Sequence, residues 1–133
     1  MTKTYVIGVG MTRMGKQADS TVKSLTQEAV DAALNDAGAQ KSDLQGAYFS
    51  NATQNHMEGQ LMVPGQVALR AMGVGGIPVV NVENACASAS TGFKLAVDFL
   101  KAGNGDCCLA VGAEKMYSDD RALMFSAFDS GWD

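Results

Sequence analysis

Hydrophobic positions along this chain switch between two periods. Short, nearly continuous apolar runs alternate with longer stretches whose apolar side chains recur at helical spacing, the marks of buried strands and of helices with one buried face. Tyr5-Val6-Ile7-Gly8-Val9-Gly10 predicts a first strand, buried on both faces. A helix is predicted from Ser20 or Thr21, or one turn later, because Ser24-Leu25-Thr26-Gln27 has the spacing of a capping box. Leu25, Ala29, Ala33 and Leu34 share its apolar face and Gly38 stops it. Gly46–Ser50 predicts the second strand. Gly59–Met72 predicts the second helix, regular from about Val63 because Pro64 suits a first turn. Ile77–Val82 is the third predicted strand. Cys86–Lys101, with Phe93, Ala96, Val97 and Leu100 on one face, is the third helix, and Asp106–Ala113 the fourth strand. Met11–Asp19, Asn51–Gly59 and Ser118–Asp133 carry no period and read as connections. The order β-α-β-α-β-α-β predicts an α/β fold: a mostly parallel sheet with helices on both faces.

Composition narrows the function. A length of 133 residues suits one domain, and 47% hydrophobic residues can fill a core. The net charge of −4 and the lack of any Lys or Arg run leave no electrostatic footprint for nucleic acid or an anionic membrane. No apolar run approaches the roughly 20 residues that span a bilayer, so membrane insertion is not expected. Met1-Thr2-Lys3-Thr4 shows no signal peptide. Three cysteines, Cys86, Cys107 and Cys108, are an odd set without metal-ligand spacing, so neither a disulfide framework nor a metal site is expected, and the compartment reads as reducing.

In sheets of this class the working residues lie at the carboxyl ends of strands. Cys86 follows the third strand directly and opens the third helix. Free N–H groups and the positive end of the helix dipole favour a thiolate at such a point, and the thiolate is the nucleophile. Ala85, Ala87, Ser88, Ala89, Ser90 and Gly92 are small and let a ligand approach closely. Cys107 and Cys108 point to opposite faces of the fourth strand and read as core. His56, the single histidine, sits in a polar stretch and reads as a solvated side chain. Gly8-x-Gly10 lacks the third glycine of a dinucleotide fingerprint, Arg13 standing there.

The run Gly76-Ile77-Pro78-Val79-Val80-Asn81-Val82-Glu83-Asn84-Ala85-Cys86-Ala87-Ser88-Ala89-Ser90-Thr91 resembles the nucleophile region of thiolases, and is most similar to the sterol-carrier-protein-2 type. A second run, Cys107-Cys108-Leu109-Ala110-Val111-Gly112-Ala113-Glu114-Lys115-Met116, is similar to the strand and turn after the nucleophile helix in that group. The resemblance implies a thiolase N-terminal domain over residues 1–117 and the start of a loop region over 118–133, with the C-terminal half absent. It implies an acyltransferase that cleaves or forms a 3-ketoacyl-CoA. Cys86 would be the acylated nucleophile and its backbone N–H an oxyanion donor. Coenzyme A would be substrate and product, with no covalently bound cofactor and no metal. The expected partners are the acyl-CoA and, in a homodimer or homotetramer, further copies meeting through Gly59–Met72 and the third strand. The expected place is the cytoplasm, or the peroxisome in a eukaryote.

The thiolase histidine base, the Gly-His-Pro-like segment and the second acid/base cysteine have no match in this chain. Ala87 and Ala89 stand where Ser or Thr, and Gly, are expected. The 133 residues alone are therefore expected to be an inactive portion of the enzyme. The alternatives are a ketoacyl synthase or hydroxymethylglutaryl-CoA synthase, and a non-catalytic scaffold that binds acyl-CoA or a partner.

Overall fold

A computed structural model of the chain describes residues 3–132; Met1, Thr2 and Asp133, at the outer ends of the two expected segments, lie outside the described residues. Gly46–Ser50 forms strand β1, the centre of a three-stranded parallel sheet. Val79–Val82 (β2) pairs on one side, with Ala47 opposite Val79 and Ser50 opposite Val82. Cys108–Gly112 (β3) pairs on the other, with Gly46 opposite Cys108 and Ser50 opposite Gly112. The shared register brings the carboxyl ends of all three strands to one edge, at Ser50, Val82 and Gly112.

Side chains of β1 alternate between two covered faces. Ala47 packs in a core with Val30 and Leu34 of helix α1 (Val22–Ala37) and Leu69 of α3 (Pro64–Ala71), while Phe49 packs with Val22 and Ala68. The opposite face carries helix α4 (Ser88–Lys101). There the rings of Tyr48 and Phe99 meet edge to face with centroids 6.4 Å apart, and a Cβ on Gly46 would stand 2.9 Å from the Phe99 ring. Helices thus cover both faces of a parallel sheet, the arrangement that the strand–helix alternation predicts.

Several elements differ from expectation. Segment 5–10 is not a strand. Val9 donates its N–H to the Asp36 carboxylate at 2.9 Å. Gly8 and Gly10 press on α1 so closely that a Cβ would lie 2.3 Å from the Ala33 carbonyl oxygen and 2.2 Å from that of Ala29. These contacts hold the segment on the helix and off the edge of β3. A cavity of about 520 Å³ separates it from β3 and α4, and Tyr5, Val6, Ile7 and Val9 are exposed instead of buried. The apolar run reported hydrophobicity correctly, but a strand also needs a neighbour for its backbone groups.

Helix α1 begins one residue after Thr21. Thr21 and Ser24 form a reciprocal capping box, three residues ahead of the Ser24–Gln27 pairing that the spacing predicts, and Gly38 at φ 63° closes the helix as expected. Asn51–Gly59 contains a short helix, α2 (Gln54–Glu58), which the polar sequence hides. Helix α3 is shorter than predicted, leaving Leu61 and Met62 outside it and exposed. A final helix, α5 (Arg121–Asp129), occupies the stretch that showed no period. It buries only Ala127, so it has no apolar stripe to read, and its visible start signal is Asp120, whose side chain accepts the Leu123 N–H at 3.1 Å. No helix among the described residues is long and apolar enough to cross a membrane.

Candidate active site

The carboxyl edge of the sheet leads into the turn that holds Cys86. After Val82 the chain leaves β2, passes Asn84 in extended φ, and makes a single 3-10 turn over Ala85–Ala87 before α4 begins at Ser88. Ala85 takes φ 45°, the left-handed region, which costs a non-glycine residue about 1–2 kcal/mol. Strain of this kind persists only where surrounding bonds fix it. Here Glu83 accepts the Ala85 N–H through its carboxylate at 2.6 Å, and Ala87 donates its N–H to the Asn84 carbonyl at 2.9 Å. The Asn84 side chain donates to the Thr91 hydroxyl at 3.0 Å, tying the turn to the second turn of α4.

Ser88 sits inside this turn, 5% exposed. Its hydroxyl accepts the Asn84 N–H at 2.8 Å and donates to the Ala85 carbonyl at 2.7 Å. Its own carbonyl accepts the Ser50 hydroxyl at 3.0 Å, which joins the turn to the end of β1. Gly92, one turn into α4, has no room for a Cβ, which would lie 2.4 Å from the Ser50 hydroxyl. Sheet, turn and helix are therefore one bonded unit.

Cys86 projects from that unit into solvent. Its backbone N–H has no hydrogen-bond partner among the described residues. An exposed thiol beside an unpaired N–H, ahead of a 14-residue helix whose dipole is positive at this end, can present a nucleophile and a donor for a developing oxyanion to the same reacting carbonyl.

The other sequence candidates lie elsewhere. Cys107 packs against the core on the α1 and α3 side, and its thiol is raised by burial and then by the Asp43 charge. Cys108 faces α4; burial, then the neighbouring Cys107, push its thiol up to about 11. Both are poor nucleophiles at neutral pH. His56 is on α2, where its Nε2 lies 2.9 Å from the Ser126 hydroxyl and 3.3 Å from the Leu123 carbonyl of α5. Because a carbonyl only accepts, Nε2 is a donor there, and the ring fastens two helices together. Among the described residues no cluster of His, Cys, Asp or Glu could hold a metal ion.

Sequence reasoning missed the residues that shape the turn. Ser88 reads only as a small residue and Ser50 only as the end of the second strand, although a serine two places after the cysteine and another at the end of a strand were visible. Glu114 was also missed. Its carboxylate accepts the Ala52 N–H and the Thr53 hydroxyl, fixing the loop after β1 to the chain after β3.

The family model described as the thiolase N-terminal domain matches residues 4–130. The chain is 37% identical to non-specific lipid-transfer protein-like 2 of Caenorhabditis elegans over 91% of its own length and 31% of that protein's. It is 33% identical to sterol carrier protein 2 of Gallus gallus, over 93% of this chain and 22% of the relative. It is also 33% identical to an acetyl-CoA acetyltransferase of Methanocaldococcus jannaschii, over 96% and 33%. The chain therefore spans a third or less of the length of these curated relatives. Among solved structures, 3-oxoacyl-[acyl-carrier-protein] synthase III of Aquifex aeolicus superposes with a TM-score of 0.64 at 20% identity, over 74% of this chain and 31% of that one, a likeness of fold.

Proposed function

Because this chain belongs to the thiolase family through its N-terminal domain, we propose that it supplies the nucleophilic half of an acyltransferase acting on 3-ketoacyl-CoA. The observation that carries this reading is the exposed Cys86 thiol beside its own unpaired N–H at the strand-to-helix turn. In the degradative direction the Cys86 thiolate attacks the 3-keto carbonyl and the oxygen becomes an oxyanion facing the Cys86 N–H. The bond between C2 and C3 then breaks. Acetyl-CoA leaves once its carbanion takes a proton, and the shortened acyl group stays on Sγ as a thioester. The thiol of a second coenzyme A attacks that thioester, giving acyl-CoA and free Cys86. Synthesis runs the same steps in reverse. Coenzyme A is thus substrate and product, and the scheme needs neither a metal nor a bound cofactor.

A nucleophilic thiol needs a base. His56 is held by α5, both remaining cysteines pack into the fold, and the Glu83 carboxylate is engaged by the Ala85 N–H, so none of these four is the base or the proton donor in this reading. The pairing of copies as a dimer or tetramer through α3 and β2, and a place in the cytoplasm or the peroxisome, belong to the same reading.

A second reading is a scaffold that binds acyl-CoA or a partner without turnover. That His56 is held by α5 and that Cys107 and Cys108 lie at the amino end of β3, away from the Cys86 turn, favours it. Incubation with acetoacetyl-CoA, followed by mass spectrometry of the peptide containing Cys86, separates the two. An acyl adduct absent from Cys86→Ala supports the acyltransferase. An alkylatable but never acylated Cys86 supports the scaffold.

A further inference from the structure

We propose that Ser88 is the positioning residue for the oxyanion donor, fixing the plane of the peptide unit that carries the Cys86 N–H. The inference rests on the acyltransferase reading above and extends it to a residue that touches no substrate. The carbonyl of Ala85 and the N–H of Cys86 belong to one peptide unit, which is planar and places the two groups on opposite sides of the C–N bond. The direction of the Ala85 carbonyl therefore sets the direction of the Cys86 N–H.

Ser88 holds that carbonyl twice. Its hydroxyl donates to the Ala85 oxygen at 2.7 Å, and its backbone N–H donates to the same atom. The same hydroxyl accepts the Asn84 N–H at 2.8 Å, which prevents it from turning away. Ser88 itself is buried and pinned by the Ser50 hydroxyl on its carbonyl. The plane so fixed is the one next to the left-handed φ of Ala85, the point at which the turn would otherwise relax. Two donors on the carbonyl oxygen also draw electron density across the amide and strengthen the N–H as a donor. The Cys86 N–H is left without a partner and faces outward from a held plane, as a preorganised oxyanion donor must.

The test compares two reactions at one sulfur. Acylation by acetoacetyl-CoA passes through an oxyanion. Alkylation by iodoacetamide is a displacement at carbon and forms none. Both rates are measured at Cys86 by peptide mass spectrometry on the naturally expressed protein, for wild type, Ser88→Ala, Ser88→Thr and Ser50→Ala. Removing a donor from an oxyanion hole slows acyl transfer by about 10²–10³, so a misdirected donor in Ser88→Ala should slow acylation by about tenfold or more. Alkylation should stay within about threefold, because the thiol remains exposed. Ser88→Thr keeps the hydroxyl and should hold the ratio of the two rates near wild type. Ser50→Ala leaves the Ser88 hydroxyl in place but removes the bond that pins the Ser88 carbonyl, and should lower the ratio less than Ser88→Ala does.

Equal rates in wild type and Ser88→Ala overturn the inference. So does a parallel fall in both reactions that tracks a lowered melting temperature, which is what a purely structural serine would give. If Ser88→Ala does not fold, Ser88→Thr decides: a folded Thr variant with the wild-type ratio supports the inference and one with a lowered ratio overturns it. A wild-type protein that is alkylated at Cys86 but never acylated removes the acyltransferase reading and this inference together, an outcome distinct from an acylated wild type with an equally acylated Ser88→Ala.

Discussion

Gly92 packs on Ser50 so closely that a methyl group at residue 92 would lie 2.4 Å from the Ser50 hydroxyl oxygen. That hydroxyl is the link between β1 and the Ser88 carbonyl. The close approach of α4 to the sheet and the anchoring of the Cys86 turn are therefore one geometric fact, and it yields a double-mutant prediction. Gly92→Ala should destabilise the protein by about 1–3 kcal/mol, the usual cost of forcing atoms into a packed site. In a Ser50→Ala background the next atoms stand 3.8 Å away, an ordinary contact. There the same change should be neutral or stabilising by up to about 1 kcal/mol, because alanine is the better helix former. Urea unfolding of the four proteins measures the coupling; additive effects would contradict it.

Val63 precedes α3 with φ 48° and is half exposed. A β-branched residue in the left-handed region is strained, whereas asparagine accepts that region and suits the position before a helix. Val63→Asn is expected to raise stability by about 1 kcal/mol, read as a higher urea midpoint with an unchanged slope.

The three cysteines should separate by reactivity. With the Cys108 thiol pushed up to about 11 by burial, roughly one molecule in a thousand carries its thiolate at pH 8. Iodoacetamide at that pH should label Cys86 first, Cys107 more slowly and Cys108 last in the folded protein. The sign for stability follows. The fold favours the neutral Cys108 thiol, so below the ordinary value of 9.0 its contribution is constant. Above it the unfolded chain ionises first, and stability should fall between about pH 9 and 11. Cys108→Ala should flatten that part of the profile.

His56 is predicted to be dispensable for chemistry. Its Nε2 donates to α5, so His56→Phe should leave the rate of Cys86 acylation unchanged while hydrogen exchange of residues 121–129 quickens. The lost hydrogen bonds should lower stability by about 1 kcal/mol. A variant with slowed acylation and an unchanged α5 would contradict this assignment.

The parts of the fold legible in the sequence are those where burial itself makes the pattern. Gly46–Ser50 forms β1 with the predicted bounds, since each of its faces meets a helix. The placement of Cys86 between a strand and a helix was legible because the apolar run before it and the helical spacing after it both carry a pattern. The 5–10 run misled because hydrophobicity reports a wish for burial, while strand formation needs a partner edge, which this segment trades for contact between its glycines and α1. Helices α2 and α5 were hidden because they bury almost nothing. Ser88 escaped notice because its role lies in the direction of a carbonyl, which spacing along the chain does not record.

The most direct measurement is the mass of the Cys86 peptide after the naturally expressed protein meets acetoacetyl-CoA, beside Cys86→Ala. The account predicts an acetyl group on Cys86, none on Cys107 or Cys108, and its discharge when coenzyme A is added. A Cys86 that iodoacetamide labels readily but acetoacetyl-CoA leaves bare would contradict it.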